Sequence, residues 1–161
     1  MTIRLLILLF IPLASCGQKN TSLDEEVKTL YKNTVPVITK ADAEKTTNAK
    51  ILDTRELEEF NISHIPNAQM VGYNNFDLAS VASIPKNDTI ILYCSVGYRS
   101  ERIGEKLLDA GFTHVFNLYG GIFNWKNHNG VVLDASNDTT ERVHTYNKSW
   151  SRFLSEGEKV Y

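Results

Sequence analysis

Cys94 is the residue with the clearest chemical promise. It follows Thr89–Tyr93, a continuous β-branched and aromatic run, and opens the loop Cys94-Ser95-Val96-Gly97-Tyr98-Arg99 ahead of a helical pattern over Ser100–Ala110. In a parallel α/β sheet, ligands bind outside the carboxyl ends of strands and beside helix N-termini. A strand-to-helix loop there can turn several main-chain N–H groups toward one point, and the helix dipole adds positive potential that favours a thiolate. Gly97 permits the tight curl that aims those amides. Arg99 supplies a permanent positive charge that either faces an anionic substrate or braces the loop. The bland alternative is an inert core cysteine at a strand end, since free cysteine is among the most buried residue types.

Short apolar segments alternating with helical ones must position this loop. Val35–Ile38, Lys50–Asp53, Gln69–Val71, Thr89–Tyr93 and Val115–Leu118 read as strands. The Thr89–Tyr93 run lacks alternation, as expected for a strand buried on both faces. Helices are expected near Leu23–Tyr31, from Asp42 to about Lys45 behind a Thr39 cap, over Glu56–Phe60, over Phe76–Ser83 before Pro85, over Ser100–Ala110 closed by Gly111, and over Ile122–Asn127. The alternation implies a small parallel sheet with helices on both faces, an α/β fold. Ala135–Tyr161 departs from it. This polar segment has Trp150, Phe153, Leu154 and Tyr161 as large apolar anchors, and is expected to pack on the domain as an appended helix rather than project as a contact arm.

The front of the chain is different in kind. Arg4 precedes an apolar run from Leu5 to Ala14, too short to span a bilayer but suited to a secretory signal. Leu13-Ala14-Ser15-Cys16 resembles the lipobox of bacterial lipoproteins, which implies cleavage after residue 15 and lipidation of Cys16. Acyl chains would then hold the protein on the membrane. Gly17, where an aspartate would retain a lipoprotein in the inner membrane, points to the periplasmic face of the outer membrane. Expected boundaries are 1–15 for the signal, 16–34 for a lipidated tether, 35–134 for the domain and 135–161 for the C-terminal extension. Lipidation of Cys16 leaves Cys94 without a disulfide partner in an oxidising compartment, which strengthens the reactive reading.

Composition narrows the rest. Seventeen basic and nineteen acidic side chains in 161 residues give a charge of −2, with no basic field for nucleic acid. A 42% hydrophobic content suffices for a core and argues against wholesale disorder. His64, His114, His128 and His144 have no metal-ligand spacing, so no metal or cofactor is expected, and a monomer is the default.

Three blocks resemble a single-domain rhodanese, a member of the sulfurtransferase family, over about residues 36–134. They are Ile51-Leu52-Asp53-Thr54-Arg55-Glu56 running through Glu59-Phe60 to His64-Ile65-Pro66-Asn67-Ala68, the loop Cys94-x-x-Gly97-x-Arg99-Ser100, and Leu118-Tyr119-Gly120-Gly121 with Trp125. Ser63 and Asn67 stand where the family usually has glycine, which implies altered local packing in the turn around His64. The resemblance implies a rhodanese-like fold in which Cys94 carries sulfane sulfur as a persulfide. The amides of Ser95, Val96, Gly97, Tyr98, Arg99 and Ser100 would cradle that sulfur, and Arg99 would favour an anionic donor such as thiosulfate. Asp53, Arg55 and Glu59 would form an ion-pair scaffold near the site. His64 matches a motif histidine and reads best as a turn residue bonded to backbone, while Phe123 and Trp125 read as core. The expected partners are a small sulfur-containing anion or persulfide as donor and a thiol or cyanide as acceptor. Phosphatases of this fold place five residues between Cys and Arg, whereas this loop has four, so a single sulfur fits better than a phosphate. The alternative from another class is a non-catalytic or redox-active module that binds an envelope partner. A dithiol oxidoreductase would need a resolving cysteine near Cys94, and position 97 is glycine.

Overall fold

A computed structural model describes residues 21–161; the expected signal segment and Cys16 lie outside the described residues. The chain runs α1 (Leu23–Leu30), β1 (Val37–Ile38), α2 (Lys40–Lys45), β2 (Lys50–Asp53), α3 (Leu57–Ile62), β3 (Ala68–Met70), β4 (Thr89–Tyr93), α4 (Tyr98–Asp109), β5 (His114–Leu118) and α5 (Gly121–Asn127). Four short strands follow: β6 (Val132–Leu133), β7 (Thr139–Thr140), β8 (Arg142–His144) and β9 (Glu158–Val160). The central sheet has the order β1-β5-β4-β2-β3, and every pairing in it is parallel. The α/β fold with helices over both faces is therefore the observed one.

β4 lies at the centre, and its side chains explain the unbroken apolar run. Ile91 and Tyr93 enter one core layer with Leu118, Ile122 and Phe123, while Ile90 and Leu92 enter the opposite layer with Ile103 and Leu107 of α4. A strand buried on both faces has no polar side to show. Phe123 and Trp125 are core residues, as their helical spacing implied.

Local signals placed several helix starts. Thr39 Oγ1 accepts from the Asp42 amide and caps α2. Ser22 and Glu25 close a reciprocal capping box at the head of α1. The helix expected over Phe76–Ser83 is instead a single 3-10 turn over Leu78–Val81. Asp77 caps it late, and Ile84, lying before Pro85, is biased away from helical backbone.

The packed unit extends beyond residues 35–134 at both ends. Val27, Tyr31 and Val35 are buried, so residues 22–34 are part of the fold and not a free tether. Glu101 of α4 accepts from the amides of Lys32 and Thr34 and fixes that segment to the domain. The extension packs as well, although not as an α-helix. It forms strands and a 3-10 turn over Trp150–Phe153, and buries Val143, Phe153 and Leu154 in the Ile91 layer. Tyr161, the fourth anchor expected there, stays exposed. Leu154→Ala is expected to cost about 3 kcal/mol by urea titration. A loss below about 0.5 kcal/mol, the range of ordinary surface changes, would place the extension outside the core.

Candidate active site

Cys94 emerges from the end of β4 with its side chain almost fully buried, at 1% exposure. α4 begins at Tyr98, two residues earlier than the apolar spacing suggested, because Gly97 takes the N-cap position with φ +101°. The intervening loop is thus only Ser95–Gly97, and Tyr98, Arg99 and Ser100 fall in the first helical turn. N–H groups in that turn have no acceptor inside their own helix. The Gly97 amide donates to Cys94 Sγ at 3.1 Å.

The loop carbonyls are all engaged from outside. The Ile122 amide donates to Cys94 O at 2.9 Å and the Phe123 amide to Ser95 O at 3.1 Å. Tyr31 Oη donates to Val96 O at 2.9 Å, and Asn117 Nδ2 donates to Gly97 O at 2.9 Å. Ser100 Oγ in turn holds Asn117 Oδ1 at 2.7 Å. With these carbonyls bonded elsewhere, the main-chain group that meets the sulfur is a donor, the Gly97 amide.

Two glycines make this loop geometry possible. A Cβ at Gly97 would run into the Tyr31 ring and hydroxyl, and one at Gly121 would run into the carbonyl oxygens of Cys94 and Ser95. Tyr31 also accepts from the Gly120 amide at 3.0 Å, so one hydroxyl ties the Cys94 loop to the start of α5. Burial raises its pKa, so it remains a protonated donor.

The charged residues divide into two groups instead of one scaffold set. Asp53 and Arg55 form a fully buried pair with Arg55 Nη2 on Asp53 Oδ2 at 2.7 Å. Arg55 also donates to Ser63 O at 2.6 Å, which fixes the turn after α3. Glu59 belongs to the other group: it takes Arg99 Nη1 on Oε2 at 2.6 Å and Nη2 on Oε1 at 2.8 Å. Arg99 Nη2 further donates to Ser95 Oγ at 3.0 Å. Arg99 is therefore held as a brace, with its charge met by Glu59. Burial alone would raise the Glu59 carboxyl, but the hydrogen bonds and charge of Arg99 outweigh it and hold that carboxyl below its ordinary value. His64 stacks on Phe60, places Nδ1 3.3 Å from Phe60 O, and bridges to Leu133 through its backbone. It lies outside the cavity beside Cys94.

That cavity has a volume of about 470 Å³. Besides Cys94, Ser95, Val96, Tyr98 and Arg99, it is lined by Leu30, Glu56, Tyr73, Asn74, Tyr146 and Trp150. Sequence reasoning missed most of this second group, and Tyr31 and Asn117 with it. Only Trp150 stood out beforehand, as a large aromatic in an otherwise polar tail.

The family model for the rhodanese-like domain matches residues 38–128, more than half of the chain. The chain belongs to the rhodanese-like domain family. It is 33% identical over 76 residues to a Mycobacterium tuberculosis protein named "Probable adenylyltransferase/sulfurtransferase MoeZ", covering 47% of this chain and 19% of that one. It is 31% identical over 86 residues to a Bacillus subtilis protein named "Putative sulfur carrier protein YrkF", covering 53% of this chain and 45% of that one. The chain thus spans less than half the length of either relative. The solution structure of a rhodanese-like domain from an Anabaena protein superposes with a TM-score of 0.56 at 26% identity, covering 62% of this chain and 79% of that one. The two departures from the rhodanese pattern have local accounts. Asn67 keeps a left-handed backbone, φ +63°, the conformation that glycine would supply and asparagine tolerates. Ser63 has extended backbone and presents its carbonyl to Arg55.

Tyr31→Phe is expected to cost about 2 kcal/mol by urea titration, because it leaves Val96 O and the Gly120 amide without their partner. The lowered Glu59 pKa contributes stability that is present above about 4.5 and lost as pH falls through the folded-state value. Acid titration of the wild type should therefore show a steeper loss below that pH than Glu59→Gln does. Parallel curves would mean that the Arg99 pair contributes nothing to the folded state.

Proposed function

We propose that this rhodanese-like protein is a sulfurtransferase that moves sulfane sulfur from a donor to a thiol or cyanide acceptor through a Cys94 persulfide. The observation that carries this reading is the Cys94 loop itself: a sulfur receiving a main-chain N–H, with every loop carbonyl bonded away from it. In the first half-reaction the Cys94 thiolate attacks the outer sulfur of the donor. A new S–S bond forms, the donor's own bond to that sulfur breaks, and the electron pair leaves with the first product. In the second, an acceptor thiolate or cyanide attacks the outer sulfur and the electron pair returns to Cys94 Sγ. This is covalent catalysis by double displacement, with no net redox change and no cofactor in either step. The cradle stabilises the anionic persulfide between the two halves.

Two further facts favour sulfur over phosphate. The loop is one residue shorter than a phosphatase loop, and Arg99 is bound to Glu59 instead of standing free for a phosphoryl group. The lipobox-like Leu13–Cys16 segment supports placement on the periplasmic face of the outer membrane through lipidated Cys16.

Intact-mass analysis before and after exposure to thiosulfate and to glutathione persulfide tests the reaction. The expected result is a gain of one sulfur atom, removable by cyanide and absent in Cys94→Ser. Sulfur gain that persists in Cys94→Ser, or no gain in folded wild type with a titratable thiol, overturns the persulfide mechanism. The second outcome favours a redox or partner-binding module.

A further inference from the structure

The cavity around Cys94 is larger and more apolar than a small inorganic anion requires. At about 470 Å³ it falls within the ~300–1,000 Å³ range of small-organic-molecule sites. Its walls include Leu30, Tyr73, Val96, Tyr98, Tyr146 and Trp150. Among the described residues, Arg99 is the one cationic side chain on those walls, and Glu59 already meets its charge. Glu56, also on the wall, is acidic. A compact divalent anion therefore finds the Gly97 amide at the sulfur end and, among the described residues on those walls, no unpaired cation.

Tyr146 and Trp150 come from the extension, outside the 38–128 span that matches the family. Tyr146 is in left-handed backbone, φ +64°, an arrangement costly for a bulky residue and found where surrounding structure enforces it. The enforcement is visible. The Tyr146 amide donates to His144 Nδ1 at 3.1 Å, and the Asn147 amide donates to Thr145 O at 2.7 Å. Burial lowers the His144 pKa, which keeps the ring a neutral acceptor near pH 7. The turn carries the Tyr146 ring over the Arg99 guanidinium, 5.5 Å from its centroid, while leaving the residue 56% exposed. Trp150 is seated beside it by the Asn147 cap and by Phe153, with ring centroids 5.5 Å apart. An exposed aromatic held in strained backbone above a reactive cysteine is a preorganised contact surface.

We infer that Tyr146 and Trp150 are specificity-determining residues that hold the apolar or aromatic body of an organic sulfur donor while its terminal sulfur enters the Cys94 cradle. The inference rests on the sulfur-transfer reading and names the class of donor. For an organic thiosulfonate the step balances. The thiolate attacks the terminal sulfur, the bond from that sulfur to the sulfonyl sulfur breaks, and a sulfinate departs with the electron pair, leaving the Cys94 persulfide.

The test compares benzenethiosulfonate with methanethiosulfonate, donors of the same charge and reacting group that differ in body. Rates of sulfur gain are read by intact mass for wild type, Tyr146→Gly and Trp150→Ala. Tyr146→Gly suits the positive φ, so loss of fold does not confuse its result. The wild type is expected to prefer the aromatic donor by roughly tenfold or more, and each variant should lose most of that preference. Tyr146→Phe should retain it. Equal wild-type rates, or a preference unchanged in both variants, would overturn the inference. A second readout needs no sulfur transfer: protection of Cys94 from iodoacetamide by benzenesulfinate against methanesulfinate. Selective protection that disappears in Tyr146→Gly upholds the aromatic subsite even if no donor loads sulfur, a result that would sink the sulfurtransferase reading alone.

Discussion

The constraint on which the rest of this structure depends is the satisfaction of four carbonyl groups. The loop that turns the Gly97 N–H toward Cys94 Sγ also carries backbone oxygens that must point elsewhere. Each oxygen from Cys94 to Gly97 is taken by a different part of the molecule: two by amides at the start of α5, one by Tyr31 beyond α1, and one by Asn117 of β5. Buried carbonyls without partners are expensive. The loop can therefore keep its donors turned toward the sulfur only while these surrounding elements are docked. The glycines at 97 and 121 follow from this requirement, since a side chain at either would occupy the space in which those bonds are made.

The electrostatics are arranged around the same loop. Asp53 and Arg55 neutralise one another inside the protein and, through Ser63, fix the end of α3. α3 then delivers Glu59 to Arg99 and Ser95, which braces the loop. The Arg99 guanidinium, paired with Glu59 and bonded to Ser95, interacts electrostatically with Cys94 as well, and the Gly97 amide donates to the sulfur from the head of α4.

Much of this was legible because it is local. The two-sided burial of β4 shows in five consecutive apolar or β-branched residues, the cap of α2 in Thr39 and Asp42, and the strand-to-helix turn in Cys94 and Gly97. Contacts between distant segments were not. Arg99 sits forty residues from Glu59, and nothing in either neighbourhood says that they meet. Tyr31 lies in a polar stretch that composition marks as tether, and its role depends on Val96 and Gly120, 65 and 89 residues away. The early start of α4 arises because glycine can cap a helix without the polar side chain that usually announces one. In the extension the large aromatics signalled packing, but their arrival at Cys94 depends on the turn at Tyr146, whose left-handed backbone a tyrosine does not advertise.

The long reach of the Tyr31 and Asn117 bonds has a consequence for the order in which the protein matures. Contacts of high sequence separation form late, because loop closure must precede any reward from them. A growing chain makes Cys94 before it makes Asn117 or Gly120, so the loop exists for a time without the partners of its carbonyls. The surroundings of Cys94 are thus completed at the end of folding, and a nascent or misassembled chain lacks them.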